Sequence, residues 1–515
     1  MKKLSKGVFI LAILAFLTAG CKKQLEIDPV QSIPSETALQ TPENIDAAIT
    51  GLYARLKNLR QYGRDLITHP EALADNGYAT NASGRLLNES NNVLNAHFTG
   101  TIWSNSYSAI NQINLILEAI PRLNVVPAPT TARINSWRGQ CLYLRGLYYF
   151  DLVRVYAYIP GAIIDQQNRG GVPIILKGID NIDSAVALLP ERAPINDVYS
   201  RIVADLTDAE GLLGFGPTAD VALANKAAAR LLLARVNLYR RDYAAAKKWA
   251  DDAIALAGDR MTDISNYEAQ WRAATNREIL FQVRFAQNNE NPGVNESLQT
   301  SFTTLTAPGN QAVLGGFGDL VPRPSLLADL GITLTSSNFV GVNASISSRS
   351  TDVRNRLFEP GNGGRTKVWV ECTKYIGKNG FINLDNVPVL RIAEAYLIRA
   401  ESAATPGSAV FSETNALNDL KFLKQRRYEG YIGSAIETTD NGLSGNALLE
   451  EIIRQRRIEF AFEGHRFFDL KRLGRDIVKT APSTATVSFS DARILPPIPQ
   501  REVDGNPRIK QNFGY

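Results

Sequence analysis

The amino-acid sequence predicts a mainly α-helical protein: a scaffold of tetratricopeptide-like helical hairpins with long loop insertions and few short strands. Three observations predict it. In most patterned segments apolar residues recur every three or four positions, which is one face of a helix. Residues 226–257 read as two such stripes joined by a short turn. Residues 286–370 lose the pattern, are rich in Gly, Asn, Ser and Thr, and carry Pro292, Pro308, Pro322 and Pro324, as long loops with short strands do. Hydrophobic residues make up 44% and charged residues 21% of the 515-residue chain, the profile of a folded protein rather than a disordered one.

Residues 1–20 begin with Lys2, Lys3 and Lys6, continue through an apolar run and end in small residues, the pattern of an export signal. The run falls short of the about 20 residues that a membrane-spanning helix needs, and nothing later approaches that length. Cys21 follows Ala19-Gly20 and resembles the acylated Cys of a bacterial lipobox, with Thr18 where Leu is usual. Cys21 is then a lipidation site; the plainer alternative is an ordinary signal with a chance Cys. Residues 21–45 are polar, with Pro29, Pro34 and Pro42, and read as a lipid-anchored tether.

Trp103, Tyr107, Ile110, Asn114 and Leu117 share a helix face. So do Leu142, Arg145, Tyr149, Leu152, Val153 and Tyr156, before Ile159-Pro160-Gly161 ends that helix. An Arg on an apolar stripe is costly unless paired, so Arg145 reads as a buried structural residue. In the hairpin, Ala228, Leu231, Leu232, Arg235, Leu238 and Tyr239 form the first stripe and Arg240-Arg241-Asp242 the turn. Tyr243, Ala246, Trp249, Ala250, Ala253 and Ile254 form the second stripe. Further helices are expected at 390–401 and 448–463. The chain therefore divides into a signal (1–20), a tether (21–45), an N-terminal helical region (46–285) and a C-terminal region (286–515), loop-rich to 370 and then helical. The last two are expected to form one compact unit.

Charge excludes one class of partner. Lys and Arg number 56 against 51 Asp and Glu, but three of the positives lie in the signal, which carries no acid. The rest is close to neutral, which is no footprint for nucleic acid. Three Cys exclude a disulfide scaffold and a four-thiolate zinc site, and His69, His97 and His465 are far apart in sequence. Cys141 and Cys372 are compatible with one disulfide or with two buried thiols. No nucleophile elbow, P-loop or dinucleotide fingerprint is present, so no cofactor and no metal are expected.

Several blocks, in order, carry a resemblance. Leu25-Glu26-Ile27-Asp28-Pro29 precedes Ala47-Ala48-Ile49-Thr50-Gly51-Leu52-Tyr53, and Trp103, Tyr107, Ile110 and Asn114 follow. Next come the run from Arg145 to Arg154, Gly171-Val172-Pro173 and the 226–242 hairpin. Then come Arg391-Ile392-Ala393-Glu394-Ala395-Tyr396-Leu397, the run from Arg457 to Arg472, and the ending Pro497-Ile498-Pro499 to Tyr515, with Phe513 where Pro is more usual. In this the chain resembles the SusD/RagB outer-membrane nutrient-binding lipoproteins of Bacteroidetes. The resemblance implies four tetratricopeptide-like units, a ligand site in the long loops, and no catalysis. It also implies a SusC-like TonB-dependent transporter as partner, an oligosaccharide or other large nutrient as ligand, and lipid anchorage in the outer membrane with outward display, although Lys22-Lys23-Gln24 precede Glu26 and Asp28. A scaffold lipoprotein for envelope assembly and a glycan hydrolase with paired carboxylates are the alternatives.

Ligand capture calls for rings beside polar groups. In the loop-rich regions these are Asn76, Tyr78, Arg85, Phe98, Trp103, Phe317 and Phe339, with Trp103 expected to face the loops from the start of its helix. Trp369 is the one Trp of the 286–370 insert, a lean supply that keeps peptides open as ligands. The cluster around Glu463-Gly464-His465-Arg466 reads as a structural ion-pair network rather than a catalytic one. Its expected members are Arg145, Glu394, Arg457, Glu459, Glu463, Arg466 and Asp469, with Arg456–Glu459 and Arg466–Asp469 as helix-spaced pairs.

Overall fold

Helix starts in this chain are written in its capping residues. Thr41 accepts a hydrogen bond from the Asn44 N–H at 3.2 Å, and Pro42 occupies the first turn of α1 (Pro42–Leu56), where its missing N–H is not needed. Thr130 caps α4, Asn225 caps α6 and Asp242 caps α7 in the same way. The helices that matter for the site are α2 (Asp65–Leu73), α3 (Gly100–Ala119), α4 (Thr131–Tyr156), α5 (Ile195–Leu212), α6 (Lys226–Tyr239), α7 (Tyr243–Ala257), α8 (Ile264–Arg272), α9 (Ile392–Ala404), α10 (Glu413–Gln425), α11 (Gly445–Glu459) and α12 (Arg466–Leu473). The computed structural model describes residues 38–515 apart from 96, 99, 216–219, 286–287, 336–342 and 379–380. The signal, Cys21, most of the tether and Phe339 lie outside the described residues.

The fold is mainly α. α3 packs on α4, α4 on α5, α5 on α6, α6 on α7, α7 on α9, and α9 on α10 and α11, in one continuous stack. From Cys141 to Tyr156 every residue of α4 is buried, as expected of a helix covered on all sides. Gly146 sits where α4 meets α5; a Cβ there would stand 2.8 Å from the Leu206 side chain. In the α6–α7 hairpin, α7 turns Ala246, Ala250 and Ala253 inward, so the two backbones approach closely. Trp249 of the same stripe stays half-buried under Lys248, whose Nζ is 4.0 Å from its ring centre.

The strands are three to five residues long and pair antiparallel, two by two. They are β1 (Gly77–Ala79) with β3 (Leu320–Pro322), β2 (Ile279–Val283) with β8 (Val387–Arg391), β4 (Ile332–Leu334) with β5 (Ile346–Arg349), β6 (Phe358–Pro360) with β7 (Val370–Cys372), and β9 (Ile477–Lys479) with β10 (Ala485–Val487). The β2–β8 ladder is wholly buried. Because β2 precedes the loop-rich insertion and β8 follows it, this ladder ties the insertion's two ends to the helical stack.

Two expected helices end elsewhere. The helix expected at 390–401 begins at Ile392, with Arg391 belonging to β8. The helix expected at 448–463 stops at Glu459, and Glu463-Gly464-His465 form a turn into α12. The cause is tertiary. Phe462 and Gly464 adopt positive φ (64° and 80°), the Gly464 N–H donates to Glu71 at 3.0 Å, and a Cβ at 464 would stand 2.4 Å from the Leu66 carbonyl oxygen of α2. Left-handed backbone costs a non-Gly residue roughly 1–2 kcal/mol before any clash. Gly464→Ala is therefore expected to lower the unfolding free energy by at least about 2 kcal/mol in urea denaturation. A change below about 0.5 kcal/mol would show that α2 does not constrain this turn.

The two cysteines are free and buried, and burial pushes both thiols up to about 12. Among the described residues no helix is long and apolar enough to cross a membrane.

Candidate functional site

The β1–β3 ladder joins segments more than 240 positions apart and sets Tyr78 opposite Val321. β3 also lies against β7, so the residues leading into β7 arrive beside the same edge. The loops at the ends of these strands bring Arg85, Phe317, Arg365, Lys367 and Trp369 together beside Tyr78 of β1. The ring centres of Tyr78 and Trp369 are 5.6 Å apart, and the Lys367 ammonium lies 4.2 Å from the Trp369 ring centre. Phe317 carries two guanidinium groups, that of Arg85 at 4.8 Å and that of Arg365 at 4.0 Å from its ring centre. Tyr78, Arg85, Phe317 and Lys367 are half-buried, Arg365 is exposed and Trp369 is buried.

Carboxyl groups lie beneath this face. Asp319, 1% exposed, accepts from Ser83 at 2.6 Å and from the Arg85 Nε at 2.9 Å, and burial raises its pKa. Glu371, fully buried, accepts from the Thr304 N–H at 2.6 Å and from the Thr303 and Thr304 hydroxyls at 2.9 Å. Burial outweighs those bonds and pushes Glu371 up to about 7. Arg323, also fully buried, donates to the carbonyls of Gly77, Thr480 and Ser483, and desolvation lowers its pKa to about 10. The face thus turns Arg365 outward, leaves Arg85 and Lys367 half-buried, and keeps Asp319 and Glu371 inside.

Of the residues singled out from the sequence, Tyr78, Arg85 and Phe317 meet here. Asn76 is buried: its amide donates to Glu71 at 2.7 Å and its oxygen accepts from the Arg457 Nε at 2.8 Å. Phe98 is buried in an aromatic cluster, stacked on Phe468 with ring centres 5.9 Å apart and edge-on to His69. Trp103 does not turn to the loops. It is 2% exposed, 5.1 Å from the Tyr156 ring and 5.0 Å from the Tyr107 ring, and forms part of the wall of a separate cavity of about 350 Å³. Pro173, Ile175, Leu188 and Ile509 complete that largely apolar wall, and Tyr107 donates to the Pro173 carbonyl at 2.8 Å. Arg365 and Lys367 were not foreseen. Their signal is the closeness of two cations to a ring in Arg365-x-Lys367-x-Trp369, although residues 363–367 form a turn and bend rather than a strand.

Buried charged residues form two closed groups, which hold Glu394, Glu459, Glu463 and Asp469 of the expected network, while Arg145, Arg457 and Arg466 pair outside them. In the first, Arg391 bonds Glu278, Glu459 and Glu463; Arg427 bonds Glu278 and Glu459; Arg354 bonds Asp352 and Glu459; and Lys374 bonds Glu463. That is four cations against four carboxylates, all fully or almost fully buried. In the second, Glu394 joins Arg235 to Arg456, Asp469 joins Arg456 to Arg472, and Glu401 closes on Arg472. Three cations meet three carboxylates. Neither expected helix-spaced pair forms: Arg456 reaches Asp469 and Glu394 instead of Glu459, and Arg466 bonds Asp75 at 2.7 Å instead of Asp469. Arg457 bonds Asp329 at 2.7 Å, and Arg145 holds Asp205 through two N–H groups at 2.7 and 2.8 Å. His465 stacks on Phe460 at 4.5 Å; burial and the surrounding arginines hold its pKa well below the usual value, so it stays neutral. Among the described residues no three His, Cys, Asp or Glu side chains converge as a metal site.

Comparison with known proteins agrees with this architecture. The family model described as SusD-like, starch-binding and associating with the outer membrane matches residues 23–238, and the SusD family model matches residues 341–515. The chain belongs to the SusD/RagB family. Two SusD-like proteins of Formosa agariphila are 27% and 24% identical to it, each alignment covering 99% or more of both chains. The crystal structure of a SusD superfamily protein from Bacteroides thetaiotaomicron superposes with a TM-score of 0.74 at 23% identity, over 92% of this chain and 99% of that one. A laminarin-binding SusD-like protein superposes with a TM-score of 0.64 at 20% identity, over 92% and 99%. Both structural likenesses speak to the fold, and they place the SusD fold across the helical stack and the insertion alike.

Proposed function

We propose that this protein is a non-catalytic, cell-surface lipoprotein that captures an oligosaccharide or similar large nutrient and passes it to a SusC-like TonB-dependent transporter. Capture is assigned to the face built from Tyr78, Arg85, Phe317, Arg365, Lys367 and Trp369, and anchorage to acylated Cys21. The observation that carries the reading is the convergence of rings and hydrogen-bonding groups from three separate loops at the β1–β3–β7 junction. That constellation suits carbohydrate, whose hydroxyls take charged hydrogen bonds from guanidinium and ammonium groups that the rings hold in place. The starch-binding, outer-membrane character of the matching family model supports it. Glycoside hydrolysis needs two carboxyl groups flanking the bond to be cut. At this face Asp319 and Glu371 are turned inward and engaged by neighbours, which favours binding over cleavage.

Calorimetry of the purified protein against a glycan panel tests capture. At least one glycan is expected to bind, with no products released, and Tyr78→Ala/Phe317→Ala is expected to weaken it tenfold or more, about 1.4 kcal/mol. In cells, Cys21→Ser is expected to move the protein out of the membrane fraction and to abolish its co-purification with a much larger barrel protein. Released products, or binding indifferent to the double change, would overturn the assignment.

A further inference from the structure

We infer that the ligand of this face is an anionic glycan, one bearing uronate carboxylates or sulfate esters; this rests on the capture reading above. A platform for neutral sugars presents bare rings. Here the rings are occupied: Phe317 lies under the guanidiniums of Arg85 and Arg365, and Trp369 lies under the Lys367 ammonium with Tyr78 alongside. Such cation–π contacts orient a cation without neutralising it. The rings therefore serve as seats that hold positive groups in place.

The charge balance at the surface points the same way. Arg85 is matched by Asp319, which anchors it from below through an ion pair of 2.8 Å. Arg365 is exposed, gives its Nε–H to the Gly316 carbonyl at 3.2 Å, and enters no ion pair among the described residues. The other nearby carboxyl, Glu371, is buried and spends its oxygens on Thr303 and Thr304. Two guanidiniums over one ring have centres within about 9 Å of each other, roughly a Debye length at physiological salt, and with Asp319 compensating only Arg85 the pair keeps one net positive charge, that of Arg365. A guanidinium offers a planar fork of N–H groups that matches both a carboxylate and a sulfate, and a fixed fork loses less entropy on binding. An unbranched neutral glycan would leave these donors with hydroxyl partners alone.

Matched pairs of glycans test this: dextran against dextran sulfate, and methyl-esterified polygalacturonate against polygalacturonate. At 50 mM NaCl the acidic member of at least one pair is expected to bind tenfold or more tightly than its neutral partner. That advantage is expected to shrink at 500 mM. Which pair responds distinguishes sulfate from carboxylate. Arg365→Gln/Lys367→Gln is expected to weaken the acidic ligand tenfold or more without shifting the melting temperature, while Lys248→Gln, an exposed cation on α7, leaves it unchanged. If Lys248→Gln weakens binding as much, the attraction is unspecific and the inference fails. If neutral glycans bind as tightly and the double variant changes nothing, the anionic class is overturned while capture stands. If no glycan of either kind binds, the capture reading falls with it.

Discussion

Replacing Arg391 by Met is expected to cost about 3–5 kcal/mol of folding free energy, the range for removing one partner of a buried ion pair. Arg391 donates five hydrogen bonds, to Glu278, Glu459 and Glu463 and to the Glu459 carbonyl, at 2.9–3.1 Å. Its group is electrically closed, so Met leaves one uncompensated negative charge in the interior rather than merely fewer bonds. Position matters as well. Arg391 is the last residue of β8 and stands directly before α9, so its loss loosens the ladder that ties down the insertion carrying Phe317 and Arg365. The distinguishing measurement is a double-mutant cycle with Glu463→Gln. Adding that change to Arg391→Met restores neutrality, so the double variant is expected to be more stable than the two single costs sum to, by 1 kcal/mol or more. Additivity within about 0.5 kcal/mol would mean that the group is a set of independent bonds and not a charge-balanced unit.

That group also marks the boundary of what the sequence made legible. The stripes at Trp103–Leu117, Leu142–Tyr156 and 226–257 map onto α3, α4 and the α6–α7 hairpin because helical periodicity is a local property. The need for partners at Arg145 and around Glu459 was equally legible, since an Arg or Glu among apolar neighbours cannot stay alone. Which partners they take was not. The i,i+3 rule describes exposed helix surfaces, whereas Arg456 is fully buried and Arg466 half-buried, and carboxylates from other elements, Glu394 and Asp75, approach them in better geometry. The same holds for the candidate site. Tyr78, Arg85 and Phe317 stood out as rings and a cation in polar loops. Arg365 and Lys367 gain meaning only from the contact of β3 with β7, and Trp103 is buried with its ring against Tyr107 and Tyr156, which its place at the start of a helix does not reveal.

The second large effect concerns pH and lies under the candidate face. Burial raises Glu371, and likewise Glu71 beneath Gly464, from 4.5 to about 7. Between those values the folded protein binds more protons than the unfolded chain, so the contribution of each group falls as pH rises. It is fully present below about pH 4.5 and gone above about 7, and a shift of this size corresponds to roughly 3 kcal/mol per group. Other buried groups act in the opposite sense. His97, lowered to about 3 by burial, contributes stability that is present above its unfolded value of 6.5 and is lost as pH falls toward 3. The total curve therefore mixes signs, and the difference between variants isolates one group. Glu371→Gln cannot ionise, keeps the amide oxygen that can accept from Thr304, and leaves His97 and Glu71 untouched. Relative to the unaltered protein it is expected to gain about 2.5 kcal/mol between pH 5 and pH 8, measured by urea denaturation at each pH. Ligand binding carries a linked expectation, because Glu371 pins Thr303 and Thr304, and Phe317 is joined to that same turn through its N–H bond to the Thr300 carbonyl at 3.2 Å. Ionising Glu371 places a charge in that support, so affinity at the face is expected to decline from pH 6 to pH 8 in the unaltered protein and to stay level in Glu371→Gln. A stability difference flat across that range would show that the three hydrogen bonds hold Glu371 ionised throughout, and the support of Phe317 would then be insensitive to pH.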